Sequence, residues 1–109
     1  MKLLVREIKC VRNPNFGFLK PQVATEKEYD VQLGYLPMEG IRNCFDYSSM
    51  VEVVSIEENK VTLKIKAKMR TGYVMLTVNA QETARFDPLM PKDGLVRYWY
   101  EFELKEVNL

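Results

Sequence analysis

Lys64, Lys66, Lys68 and Arg70 recur at every second position, a spacing that on an extended chain sets them about 6.5–7 Å apart on one face. The interval is close to the per-strand phosphate repeat of a nucleic acid, so the stripe is a candidate anion contact, with Tyr73 or Trp99 available to stack on bases. The plainer role for such lysines is to lay their methylenes over the neighbouring Val51 and Val53 while the ammoniums stay in water. A second candidate is aromatic. Phe16 and Phe18 flank Gly17 in a stretch punctuated by Pro14 and Pro21, and Trp99 falls between Arg97 and Tyr100 with Glu101 beyond. Aromatic side chains presented this way are candidate anchors for a partner protein. They serve equally well as a plug at one end of the core, with Trp99 packed beneath the Phe16–Phe18 loop.

Catalysis finds little to work with. The chain has no histidine, which removes the commonest general base and metal ligand and with it any His-containing triad. Cys10 and Cys44 are far apart in sequence and form no CxxC motif. Glu57 and Glu58 fall in a turn, and Glu101 and Glu103 share a strand face, where simple solvation accounts for both pairs. Five scattered glycines make no phosphate-binding loop. These residues predict no catalytic group, no metal and no cofactor.

The elements that must position the candidates are strands. Val61, Leu63, Ile65, Ala67 and Met69 alternate with the basic stripe, and Val96, Tyr98, Tyr100, Phe102 and Leu104 alternate with Arg97, Trp99, Glu101 and Glu103; period two marks a strand with one buried face. Lys2 to Val11 carries apolar residues on both parities, which predicts a strand covered on both faces or interrupted by a bulge. Tyr29, Val31, Leu33 and Tyr35 predict another. Hairpin-length connectors at Glu58-Asn59 and Thr71-Gly72 make a meander of 51–57, 61–69 and 73–79. Its expected registers set Ile56 opposite Val61 and Val54 opposite Leu63, then Met69 opposite Val74 and Ile65 opposite Val78. Helical spacing within 38–49, and a capping-box pattern from Asn79 to Glu82 before 80–86, predict one or two short helical turns; for 80–86 a continuing strand is the alternative.

The expected fold is therefore mainly β: one antiparallel domain over residues 1–109, with about six strands as a sandwich or a partly open barrel. Whether the first and last strands meet decides between the two, and the length of the last strand favours closure because a long free edge invites aggregation.

Composition narrows the setting. The net charge is +1 at pH 7, too small for a global attraction to nucleic acid or membrane. No apolar window approaches the roughly 20 residues of a spanning helix. The apolar run at the amino terminus is cut by Arg6, so no export signal is expected, and with two cysteines a cytoplasmic, thiol-reduced setting follows.

These features favour a soluble, non-catalytic β-domain that binds a protein partner or a second copy of itself, with Phe16, Phe18 and Trp99 as contacts. A nucleic-acid-binding barrel using Lys64, Lys66, Lys68 and Arg70 is the alternative. A barrel holding a small apolar ligand among Tyr29, Tyr35, Tyr98 and Tyr100 is the third reading.

Overall fold

The period-two runs fold as strands. The structure, a computed structural model, describes residues 1–13, 15, 17–18, 20–37, 50–66, 72–87 and 96–106. Its strands are β1 (Lys2–Asn13), β2 (Gly17–Phe18), β3 (Gln22–Asp30), β4 (Gly34–Tyr35), β5 (Met50–Ile56), β6 (Lys60–Lys66), β7 (Val74–Asn79), β8 (Thr83–Phe86) and β9 (Val96–Lys105). All of them pair antiparallel.

Two sheets result. The first runs β8–β9–β1, with β3 and the two-residue β2 both along the remaining edge of β1; the second runs β4–β5–β6–β7. The first and last long strands do meet, over ten residues from Lys2 opposite Lys105 to Val11 opposite Val96. No closed barrel follows, because the far edge of β9 is taken by β8 and that of β1 by β3. The arrangement among the described residues is sandwich-like.

One core lies between the sheets. Leu3, Val5, Phe86, Tyr100, Phe102 and Leu104 from the first pack against Val51, Val53, Val61, Leu63, Ile65 and Val78 from the second. Full burial of each such aliphatic or aromatic side chain contributes about 1.5–3 kcal/mol. The inner parity of β1 also carries Glu7, only 2% exposed, and its carboxylate accepts a 3.1 Å hydrogen bond from the Tyr100 hydroxyl directly across the ladder. The other parity of β1 is buried too: Ile8 and Cys10 form a second apolar cluster with Trp99 on the outer face. A register shift against β3 falls between Glu7 and Ile8. The double-parity apolar pattern of this strand thus has both of its expected causes, two covered faces and a bulge.

Several expectations are corrected. The strand expected around Tyr29 to Tyr35 divides: β3 ends at Asp30 in the first sheet, and the chain crosses at 31–33 to β4 in the second. Leu33 and Tyr35 are exposed as a result. The Glu58-Asn59 turn forms as expected, closed by a 2.8 Å bond from the Glu57 amide to the Lys60 carbonyl, and Ile56 lies opposite Val61. Val54, however, sits in a bulge, so Val53 takes its place opposite Leu63. Ile65 pairs with Val74 instead of Val78. That is a slip of four residues, and an even slip leaves every side chain on its expected face, so alternation alone cannot detect it.

No helix forms over 80–86. The segment turns at Ala80 and Gln81, where the Glu82 amide donates to the Asn79 carbonyl at 3.3 Å, and resumes as β8 in the opposite sheet. Gln81 takes a φ of 66° to make this crossing. The amide of Asn79 donates to the Glu82 carboxylate at 3.2 Å, so the two capping-box side chains close a turn between sheets. The helical spacing within 38–49 lies outside the described residues.

Candidate functional site

The two sheets expose very different outer faces. On the first, charged residues line up across four strands in the order Arg85, Glu101, Arg6, Glu26, each opposite the next in the ladder. Alternating sign across neighbouring strands is favourable, and diagonal contacts tighten the array. Arg6 donates to Glu26 on one side and to Glu103 on the other, both at 2.9 Å. Lys105 approaches Glu103 at 3.4 Å, and Lys2 pairs with Asp30 at 2.8 Å. The hydrogen bond from Arg6 holds the Glu103 carboxyl below its ordinary value, against the opposing effect of burial, with Lys105 assisting. The Lys2 hydrogen bond likewise lowers Asp30.

Trp99 belongs to this face and is not an exposed anchor. It is 8% exposed, packed with Ile8 and Cys10, and its indole N–H donates to Glu101 at 3.2 Å. The guanidinium of Arg85 lies 4.3 Å from its ring centre and that of Arg97 at 5.8 Å. Cross-strand pairing explains the burial: Trp99 stands directly opposite Ile8, and the arginines on either side close over the indole.

The second sheet is open. Its outer face carries a row across all four strands, Tyr35, Glu52, Lys64, Met75, again each opposite the next. Tyr35 is 65% exposed and Met75 58%, with Tyr73 at 62% beside them. The Lys64 ammonium lies 3.9 Å from the centre of the Tyr73 ring. Lys60 pairs with Glu57 at 3.2 Å. Neither Glu52 nor Lys66 makes an ion pair among the described residues.

The structure therefore places Lys64 and Lys66 on one half-buried outer face, as their alternation requires, but sets Glu52 directly opposite Lys64. The lysines do not lie over Val51 and Val53, which the Val54 bulge turns into the core opposite Ile65 and Leu63. Lys68, Arg70 and Phe16 lie outside the described residues, as does the side chain of Phe18. Met75 was not among the residues expected to make contact, whereas Tyr73 was expected only as a base-stacking platform and Tyr35 only as the lining of a ligand-holding barrel. Met75 was findable, since it holds the parity opposite Val74, Leu76 and Val78; the exposure of Tyr35 was not, because it depends on the crossing at 31–33.

Other chemistry is sparse. Glu101 and Glu103 are engaged by different partners, Trp99 and Arg6, and do not act as a carboxylate pair. Cys10 is buried, and Cys44 lies outside the described residues. Among the described residues no group of three or more histidine, cysteine, aspartate or glutamate side chains is placed to hold a metal ion, and no helix is long and apolar enough to cross a membrane.

The four tyrosines proposed to line a ligand cavity are dispersed. Tyr100 is fully buried in the core while Tyr35 is exposed, and Tyr29 donates to the Pro37 carbonyl at 2.9 Å. A surface pocket of about 240 Å³ lies where Tyr29, Leu33, Tyr35 and Pro37 meet, below the roughly 300–1,000 Å³ of most small-molecule sites. Comparison with protein-family models, curated proteins and solved structures finds no match to this chain.

Proposed function

We propose that the chain is a non-catalytic protein-interaction domain that presents the outer face of its second sheet to a partner. The observation that carries this reading is the exposed Tyr35, Tyr73 and Met75 on the face that also holds Lys64 and Glu52. Tyrosine and methionine are enriched at protein interfaces, and an open apolar surface bordered by charge is a common mark of one. On the first sheet the central charges Arg6, Glu26 and Glu103 engage one another and the tryptophan is covered, which leaves Val11 and Val23 as the exposed large apolar side chains of its strands among the described residues. A cytoplasmic setting accompanies the proposal, in keeping with sparse cysteine and the burial of Cys10.

A photoreactive residue installed at position 75 tests the proposal. Discrete protein cross-links are expected from that site in cells, and none from the same residue at position 28 on the opposite sheet. Equal, diffuse labelling from both sites would reject it.

The competing nucleic-acid reading rests on Lys64, Lys66 and Tyr73 sharing this face. Anisotropy titrations with single-stranded DNA and RNA at two salt concentrations decide it. Contact with several phosphates requires a steep loss of affinity with salt. Glu52 in the middle of the face argues against that, so no binding is expected at either concentration.

A further inference from the structure

We infer that the outer face of the second sheet docks a second copy of this chain, face to face, about a twofold axis running along the strands between β5 and β6. The inference rests on the proposal that this face binds protein, and it names the partner.

The argument is one of order. Across β4, β5, β6 and β7 the row reads Tyr35, Glu52, Lys64, Met75. A rotation of 180° about an axis between the two middle strands reverses that sequence on the facing copy. Tyr35 then meets Met75, Glu52 meets Lys64, and both contacts recur on the other side of the axis. An isologous interface demands this property: each residue must complement whatever its symmetry mate presents. In the row nearer the β5–β6 turn, Ser55 lies opposite Thr62, and the same rotation sets one hydroxyl over the other.

The charges on this face call for an external partner. On the first sheet Arg6, Glu26, Glu103, Lys105, Lys2 and Asp30 are joined in ion pairs. On the second, Glu52 has no ion-pair partner among the described residues, and Lys64 rests on the Tyr73 ring. That stacking holds the ammonium in place beside the exposed Met75. Tyrosine against methionine supplies apolar area and a favourable sulfur–aromatic contact, while the two Glu52–Lys64 pairs set the alignment.

Size limits the strength. Six residues on each of β5, β6 and β7 and the two of β4, spaced about 3.4 Å along a strand and about 4.8 Å between strands, give roughly 330 Å² per copy, or roughly 650 Å² in total, below the ~1,200 Å² at which standard stable interfaces begin. A reversible dimer that forms at high concentration is expected, so the full chain is examined by sedimentation equilibrium from about 10 μM to about 1 mM, a window set by that small area.

The wild-type mass should rise toward that of a dimer across this range. E52K and K64E should each weaken association by at least roughly tenfold, since the twofold makes every like-charge contact occur twice. An equimolar mixture of E52K with K64E should dimerise again, because the mixed dimer restores a pair of opposite charges on each side of the axis: the substituted positions of the two copies meet on one side, and the native Lys64 of the E52K copy meets the native Glu52 of the K64E copy on the other. The double variant E52K/K64E should dimerise alone for the same reason. Circular dichroism of each variant separates lost association from lost folding, and recovery in the mixture excludes misfolding directly.

A wild-type protein that stays monomeric to the top of the range overturns the inference, as does a dimer indifferent to both single substitutions. Cross-links from position 75 to other proteins only, together with a monomeric chain, would remove self-docking and leave the interaction-domain proposal standing. Absence of both would remove the two together.

Discussion

Trp99 is the only tryptophan in the chain, and its indole is covered by guanidinium groups 4.3 and 5.8 Å from its ring, so its fluorescence reports on one well-defined place. The native emission maximum should lie on the blue side of that of the unfolded chain. Replacing Arg85 with alanine should shift it to the red and cost about 0.5–1 kcal/mol, the usual size of such a contact near the surface; an unmoved maximum would mean that Arg85 does not cover the ring. Tyr100 makes the other informative single contact. Tyr100→Phe keeps the ring in the core and deletes only the hydroxyl that donates to buried Glu7. Loss of a buried hydrogen bond costs about 1–3 kcal/mol, so the urea midpoint should fall with an unchanged slope. Glu7 was legible in the sequence only as a residue on the inner parity of the first strand. Its partner was not, because Tyr100 is 93 positions away and only the β1–β9 register brings them together.

At the scale of elements, Arg6 on β1 ties β3 and β9 together through Glu26 and Glu103. The sign of its pH effect follows from Glu103. Its folded carboxyl is held below the ordinary value of 4.5 by the Arg6 hydrogen bond, so the unfolded chain takes up a proton first as the pH falls. The tie therefore stabilises fully above that ordinary value and is lost as the pH drops through the lower folded value. Glu103→Gln should flatten this acid limb of the stability curve and leave its slope near neutrality unchanged. An unaltered acid limb in denaturant titrations would show that Glu103 does not carry it.

The turns illustrate what element-level pattern can reach. Glu58-Asn59 was readable because two residues between alternating runs leave one way to fold back. The β6–β7 connection was not, since an opposing register displaced by four residues satisfies the same alternation. Asn79 to Glu82 has capping-box residues in the right places, yet the strands on either side belong to different sheets and require a tight crossing there.

Across the whole molecule, the order of the strands sets an order of stability. β1, β9, β5 and β6 have a neighbour on both sides, whereas β3 and β7 have one among the described residues. Backbone groups paired within the ladder and backed by buried side chains open only with the largest structural units. Hydrogen exchange should therefore be slowest for the ladder amides of β1, β9 and β6, which flank the core residues Val5, Phe102 and Leu63, and faster along β3 and β7. Slowest exchange in β3 would contradict the arrangement of the first sheet.

The sequence by itself determined that the chain is built of antiparallel strands and which side chains of β1, β6, β7 and β9 share a face, because the direction of successive side chains on an extended backbone is a local property. Tertiary structure alone decided which sheet each strand joins, where Val54 bulges, that Trp99 is covered and that Tyr35 is open. Those outcomes depend on pairings between distant residues and on what the opposite strand happens to place alongside, and alternation carries no record of either.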